Sequence, residues 1–266
     1  MSSVLFAKTP DVKIAYRTMG SGDPLLMIIG YGSTMDMWAD AVLDALAGNF
    51  KVIIFDNRGM GYSEIINDED FTLKLFARDA VNLLKALNIG HAHVLGWSMG
   101  SMVAQEMALE YPDFVDKLVL YGTNFGDVKC AFPEPWVGLL MSNPDMSFEQ
   151  FLTVLFPPEW LTREDAMKQW PDISESQNGE TTGRQYTAIM NWYTPGGGTY
   201  GRLDKLRQKT LLLTGSEDVL VPPQNSELMA ELIPDSSVIM IDGGGHGVIY
   251  QYPEELASHV LNFLAI

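Results

Sequence analysis

The stretch VLGWSMGSM, Val94 to Met102, contains the pattern G-x-S-x-G, with Ser98 between Gly96 and Gly100. It follows the apolar run AHVLG and leads into a run of helical character that ends near Glu110. A serine on a sharp strand-to-helix turn is raised above the edge of a sheet, where a reactant can meet its hydroxyl. The two glycines remove Cβ atoms that would otherwise collide with neighbouring backbone. The pattern therefore predicts Ser98 as a nucleophile, and an ordinary glycine-rich turn is the alternative.

Short apolar runs alternate with longer runs of helical period on both sides of this stretch. Leu25–Gly30, Lys51–Asp56 and Lys117–Gly122 are continuous apolar runs that suit strands buried on both faces. Phe71–Leu87 places its apolar residues on one face at helical spacing. Further strands are predicted at Val4–Lys8, at Val12–Arg17 and in the run SSVIMID, Ser236–Asp242. This order predicts an α/β fold with a mostly parallel central sheet flanked by helices.

The alternation of strands and helices stops after Thr123 and resumes near residue 201. The residues between contain proline and glycine breakers, short helical pieces and many aromatic side chains. After them come the strand KTLLLTG and helices at Gln224–Leu232 and Pro253–Leu264. We expect a core built from residues 1–125 and 201–266, interrupted by a helical cap at residues 126–200.

The composition is that of an acidic globular chain. Its 266 residues are 47% hydrophobic, which supplies a sizeable core. The net charge of −17 disfavours nucleic acids and anionic membranes as partners. The single cysteine, Cys130, excludes an intrachain disulfide and suits a reducing compartment. We find no signal peptide and no transmembrane run, so we expect a cytoplasmic protein whose oligomeric state, including a homo-oligomer, stays open.

A serine nucleophile needs a general base, and the sequence offers four histidines. His91 and His93 lie toward the wrong end of the strand that leads to Ser98, and His259 lies inside the last predicted helix. His246 lies in the glycine-rich loop IDGGGHG after a strand, where an open α/β sheet collects its functional groups. The position predicts His246 as the base.

An acid should orient the base and stabilise its positive charge. Asp218 lies in GSEDVLVPP, just past a predicted strand. Glu217 is adjacent, and Asp242 is near His246 in sequence, so both stay open as alternatives. Asp218 is preferred because the VLVPP that follows it fixes the loop.

Four motifs together resemble the α/β-hydrolase superfamily. GWSMG, GSEDVLVPP and GGGHG stand in the order Ser98, Asp218, His246 that this superfamily uses. DNRGMGYS, Asp56–Ser63, looks like its D-x-R-G-x-G-x-S segment, which is mainly structural. The resemblance covers nearly the whole core and points to small serine esterases, haloperoxidase-like perhydrolases, lactonases and carbon–carbon bond hydrolases. It implies that no metal and no organic cofactor is needed, and no Cys/His cluster has metal-ligand spacing.

An oxyanion hole is expected from backbone N–H groups. Its donors would be Tyr31, in the loop IGYGS at Ile29–Ser33, and Met99, at the start of the helix after Ser98. Relatives often have His-Gly at the start of this loop, where this chain has Ile29 and then glycine. Because the donor is a backbone N–H group, this difference in side chain does not remove it.

The predicted chemistry is acyl transfer by a serine hydrolase. The expected partner is a small-molecule ester of small to medium size and largely apolar character, cleaved through an acyl-enzyme. The predicted substrate pocket contains Gly30, Trp97, Trp136, Val219 and Val248. A carbon–carbon bond hydrolase, a lactonase or a perhydrolase would use the same residues, and a ligand sensor could use the same fold.

Overall fold

One sheet of nine strands organises the computed structural model, which describes residues 3–143, 145–168, 170–171 and 178–265. The strands are β1 (Leu5–Lys8), β2 (Val12–Met19), β3 (Asp23–Ile28), β4 (Phe50–Phe55), β5 (Glu64–Ile65), β6 (Ala92–Trp97), β7 (Val115–Tyr121), β8 (Lys209–Gly215) and β9 (Ser236–Ile241). Their order in the sheet is β1-β2-β4-β3-β6-β7-β8-β9, and β5 pairs with β2. Only the pairs that include β2 are antiparallel, so the predicted α/β class with a mostly parallel sheet is confirmed.

The strand order brings two loops together at one edge of the sheet. Strand β3 lies between β4 and β6, with Ile28 of β3 paired to Gly96 of β6. The chain leaves β3 toward β4 and later returns to the other side of β3 through β6. The carboxyl ends of β3 and β6 therefore adjoin at the point where the strand order reverses, which is where such sheets bind ligands.

Helices cover both faces of the sheet. They are α1 (Asp40–Ala47), α2 (Leu73–Ala86), α3 (Met99–Glu110), α4 (Pro135–Met141), α5 (Phe148–Leu155), α6 (Pro158–Leu161), α7 (Gly179–Trp192), α8 (Gln224–Leu232), α9 (Val248–Gln251) and α10 (Pro253–Ala265). Leu26 and Ile28 of β3 pack in one core cluster with residues of α2 and α3. Leu25 and Met27 pack in the other with residues of α1 and α10. Both faces are apolar, as the continuous hydrophobic runs require.

Four helices, α4 to α7, lie between β7 and β8 in the segment predicted as a cap. Residues 144, 169 and 172–177 of that prediction lie outside the described part of the chain. Helix α7 is tied to the core at its end, where Trp192 Nε1 donates to Asn124 Oδ1 at 3.2 Å. Near the middle of α7, the Arg184 guanidinium donates to Asp68 Oδ1 at 2.6 Å.

The structure moves several predicted boundaries. Strand β3 ends at Ile28 rather than Gly30, because the chain turns at Gly32, which has a φ of +65°. Strand β9 begins at Ser236 as predicted and ends at Ile241, one residue before the predicted end. The short elements β5 and α9 were not predicted, because two to four residues carry too little periodicity to identify them. Among the described residues, no helix is both long and apolar enough to cross a membrane.

Candidate active site

Ser98 occupies a strained turn between β6 and α3. Its φ of +56° and ψ of −123° lie in a region that non-glycine residues rarely adopt. A Cβ on Gly96 would lie 2.3 Å from the carbonyl oxygen of Gly100. A Cβ on Gly100 would lie 2.0 Å from the carbonyl oxygen of Ile28. The structure thus confirms that both glycines are needed for close backbone approach around the strained serine.

His246 and Asp218 form a buried hydrogen-bonded pair. His246 Nδ1 lies 2.7 Å from Asp218 Oδ2, and the two residues are 2% and 3% exposed. The other oxygen, Asp218 Oδ1, accepts from the backbone N–H groups of Leu220 at 3.0 Å and Val221 at 2.7 Å. A carboxylate can only accept, so Nδ1 carries the proton and Nε2 is the nitrogen left to receive one.

Of the three acids considered from the sequence, Asp218 is the one in contact with His246. The backbone N–H of Glu217 donates to the carbonyl of Gly244 at 2.8 Å, and the hydrogen bonds of the described residues include none between His246 and the side chain of Glu217 or Asp242. Leu220 and Val221, which follow Asp218, bend back so that their N–H groups reach its side chain.

The loop that carries His246 is held by Tyr121 at the end of β7. The Tyr121 hydroxyl donates to the carbonyl oxygen of His246 at 2.5 Å and accepts from the N–H of Ile249 at 3.2 Å. Burial raises the pKa of the Tyr121 phenol well above its usual range, so the hydroxyl keeps its proton as a donor. The next residue, Gly122, lies flat against the imidazole, since a Cβ there would be 2.9 Å from His246 Cε1.

Tyr121 forms hydrogen bonds with both Ser98 and His246. The N–H of Ser98 donates to the carbonyl of Tyr121 at 2.9 Å, and the ring of Trp97 lies 6.0 Å from the imidazole. The hydrogen bonds of the described residues do not include one from Ser98 Oγ to His246. Such bonds are often long in ligand-free enzymes and tighten when a substrate binds.

The loop after β3 lies beside Ser98. A Cβ on Gly30 would be 3.2 Å from Ser98 Cβ and 3.8 Å from its Oγ. The N–H of Gly32 donates to Gln185 Oε1 at 2.9 Å and is therefore not free to bind an oxyanion, so Tyr31 stays the predicted donor from this loop. Met99 begins α3, and the first N–H groups of a helix have no partner within it. Burial and the neighbouring Tyr186 raise the pKa of the Tyr31 phenol.

The five predicted pocket residues take up different positions. Gly30 lies against Ser98. Trp97 and Val248 are buried, with Trp97 stacked on Tyr121 at 5.5 Å between ring centroids. Val219 and Trp136 are 39% and 47% exposed. The structure therefore brings Gly30 and Trp97 to Ser98, whereas Trp136 lies exposed on α4.

The insertion contacts both loops of the site. Thr182 and Gln185 of α7 lie on Gly32 in the loop after β3. On the other side, the carbonyl of Leu155 accepts from the N–H of Gly247 at 2.8 Å, next to His246.

Comparison with known proteins gives the family. The sequence model of the α/β hydrolase fold matches residues 23–253. The chain belongs to the α/β-hydrolase family. The resemblance seen in the four motifs is therefore confirmed.

Three relatives match this α/β-hydrolase over nearly its whole length. "Putative carbamate hydrolase RutD" of Azorhizobium caulinodans is 28% identical over 262 residues, 97% of each chain. "Putative non-heme bromoperoxidase BpoC" of Mycobacterium tuberculosis is 27% identical, over 96% of this chain and 98% of its own. The solved structure of an α/β hydrolase fold protein from Chitinophaga pinensis superposes with a TM-score of 0.86 at 26% identity, covering 99% of this chain and 98% of that one.

Sequence reasoning missed several residues that hold the site. Gly122 carried a signal, because a glycine ends the apolar run KLVLYG, but nothing local shows which side chain it faces. Gln185 and Tyr121 carried no signal. Their partners in this α/β-hydrolase are 153 and 125 residues away in sequence.

Proposed function

We propose that this chain is a serine hydrolase that cleaves carboxylic esters through an acyl-enzyme on Ser98. The observation that carries the proposal is the buried pair of His246 Nδ1 and Asp218 Oδ2, 2.7 Å apart, beside a serine held at positive φ. Structural serines need neither a strained turn nor an oriented imidazole next to them. Membership of the α/β-hydrolase family supports the same chemistry.

In the first half of the proposed reaction, Ser98 Oγ attacks the ester carbonyl carbon while His246 Nε2 accepts the hydroxyl proton. Asp218 keeps the imidazole in the correct tautomer and stabilises its positive charge. The N–H groups of Tyr31 and Met99 donate to the oxyanion that forms. His246 then gives its proton to the alcohol oxygen as the bond to the acyl carbon breaks.

In the second half, a water molecule attacks the acyl carbon of the ester on Ser98. His246 Nε2 accepts a proton from this water and returns it to Ser98 Oγ as the acid leaves. Helices α5 and α7 contact the loops on either side of Ser98, and we propose that this insertion acts as the cap that limits acyl size. The aromatic and glycine surroundings of Ser98 favour uncharged, largely apolar esters.

Carbamate cleavage is the second candidate, and it rests on the RutD relative with 28% identity over 97% of each chain. A carbamate presents the same kind of carbonyl carbon to Ser98, with nitrogen on one side. The two functions differ in what occupies the acyl side of the pocket, so a panel of matched esters and carbamates separates them.

A substrate panel with a serine variant tests the proposal. We expect wild type to hydrolyse p-nitrophenyl esters of short to medium acyl chains, and Ser98→Ala to lose about 10⁴-fold or more in kcat. Ser142→Ala, which changes an exposed serine at the end of α4, is the matched control and should retain full activity. A fluorophosphonate probe followed by peptide mapping should label Ser98.

Three results would redirect or overturn this assignment. Undiminished turnover by Ser98→Ala would show that Ser98 is not the nucleophile. Preference for aryl carbamates over the matched esters would favour the second candidate. Saturable binding of the esters without turnover or labelling would point to a ligand sensor.

A further inference from the structure

Gln185 reaches from the insertion to the loop that follows β3. It lies near the middle of α7 and is completely buried. Its Oε1 accepts from the N–H of Gly32 at 2.9 Å, across 153 residues of sequence. The contact joins the insertion to the turn that carries Tyr31, the proposed oxyanion donor.

This contact is the tether of that turn. In the described part of the chain, the other hydrogen bonds of residues 30–34 are local, such as Ser33 Oγ to the carbonyl of Tyr31 at 3.2 Å. The turn is fixed again only at Met35, whose N–H donates to Asp56 Oδ1 at 2.7 Å. A five-residue segment rich in glycine has many accessible conformations without a tether, because glycine restricts its backbone least.

Helix α7 is a firm support for such a tether. Trp192 and Arg184 anchor it to the core, as described above, and Thr181 packs against Gly59. The ring of Tyr186 lies 6.3 Å from that of Tyr31, so a second contact flanks the hydrogen bond. A displacement of α7 would therefore be transmitted to the N–H group of Tyr31.

The amide of Gln185 is also incompletely satisfied. Its Nε2 is buried, and no described residue forms a hydrogen bond with it. An unpaired buried donor costs free energy, and a leucine or methionine would fill the same volume without that cost. An amide at this position is explained by its Oε1, which accepts the hydrogen bond from the N–H of Gly32.

We propose that Gln185 is a positioning residue that fixes the oxyanion loop by binding the N–H of Gly32. This inference rests on the proposed function of Ser98. Through the loop, Gln185 sets the direction of the Tyr31 N–H. Loss of the Gln185 amide should therefore reduce the stabilisation of the transition state and leave the binding of the substrate in its ground state unchanged. The insertion then acts on catalysis as well as on access.

The first test compares Gln185→Met with Thr187→Ala. Methionine keeps the length of the side chain and lacks the acceptor, and Thr187 is an exposed residue on the same helix. With a p-nitrophenyl ester, we expect Gln185→Met to lose roughly ten- to hundredfold in kcat with KM unchanged. Its affinity for a trifluoromethyl ketone, which forms the oxyanion adduct with the serine, should fall by the same factor. If Gln185 has a merely structural role, Gln185→Met and Thr187→Ala should show the same kcat and the same affinity for the ketone.

Gln185→Glu is the rescue variant. A glutamate side chain offers Gly32 an acceptor oxygen whether it is protonated or ionised. We expect it to recover part of the activity that Gln185→Met loses. Equal losses in Gln185→Glu and Gln185→Met would overturn the positioning role.

Hydrogen–deuterium exchange tests the tether without any substrate. Residues 29–35 should exchange faster in Gln185→Met than in wild type or Thr187→Ala. Unchanged exchange in that segment overturns the inference, even where the variant is otherwise stable. Failure of wild type to be labelled by a fluorophosphonate at Ser98 would instead overturn the proposed function, and the exchange result would still decide the role of Gln185.

Discussion

At the scale of single residues, the candidate site depends on neighbours that carry no reactive group. Gly96 and Gly100 allow the turn at Ser98, and Gly122 allows the imidazole of His246 to lie against the end of β7. At each of these glycines, a side chain would collide with neighbouring backbone or with the imidazole ring of His246. The positions of the reactive residues therefore depend on the small size of these glycines as well as on hydrogen bonds.

Gly122→Ala should displace His246. The new Cβ would lie 2.9 Å from His246 Cε1 and 3.1 Å from Nδ1, at a φ of +56° that an alanine tolerates poorly. We expect kcat on p-nitrophenyl esters to fall by about 100-fold, because a displacement of about 1 Å has that effect. Gly90→Ala is the matched control, since a Cβ there meets nothing within 4 Å. Equal activity of the two variants would contradict the packing argument.

At the scale of secondary-structure elements, a buried ion pair joins α2 to the segment DNRGMGYS. Arg58 donates to both oxygens of Asp79, with Nε at 2.6 Å and the terminal nitrogen at 2.7 Å. Both side chains are almost fully buried. The pair supports the structural role expected for this segment, because it fixes the turn after β4 against α2.

Asp79→Ala should therefore destabilise the fold strongly. Removing one partner leaves the guanidinium of Arg58 buried without its counter-charge, and we expect the free energy of unfolding to fall by about 3–5 kcal/mol. Lys74→Ala, on the same helix, breaks an exposed pair with Glu110 and should cost at most about 1 kcal/mol. Urea denaturation measures both values. A loss in Asp79→Ala no larger than that in Lys74→Ala would refute the argument.

At the scale of the whole molecule, Asp56 joins the loops that follow two neighbouring strands. It comes directly after β4, and its carboxyl accepts from the N–H groups of Met35 at 2.7 Å and Tyr62 at 3.0 Å. Burial raises its pKa from 3.8 to about 6, despite these two hydrogen bonds. The folded protein therefore keeps the proton of Asp56 to a higher pH than the unfolded chain does, which makes global stability depend on pH.

The free energy of unfolding should include a contribution from Asp56 that falls as pH rises from about 4 to about 6. In this window the folded state binds more protons than the unfolded state, so raising the pH favours unfolding. The shift from 3.8 to about 6 corresponds to about 3 kcal/mol. Urea denaturation at pH 4, 5, 6 and 7 measures the free energy of unfolding. In Asp56→Asn this free energy should fall less steeply with pH than in wild type, or should rise. Asp44→Asn, at an exposed position on α1, should keep the wild-type slope, and an unchanged slope in Asp56→Asn would contradict the prediction.

Much of the fold and part of the candidate site follow from local sequence. The continuous apolar runs predicted buried parallel strands, and the order of GWSMG, GSEDVLVPP and GGGHG placed Ser98, Asp218 and His246 after three strands. These properties are local, because hydrophobic periodicity and the backbone freedom of glycine act within a few residues. Since the carboxyl ends of parallel strands meet at one edge, local assignments were enough to predict where the functional groups collect.

Only the tertiary structure decided which of these groups touch. It selected Asp218 over Glu217 and Asp242 as the partner of His246, and it placed Trp136 on an exposed helix face. It also brought Gln185 to Gly32 and Gly122 to the imidazole. Such contacts depend on the order of strands in the sheet and on how the insertion packs across it. Both are set by the burial of the whole apolar surface at once, and no short stretch of sequence contains that information.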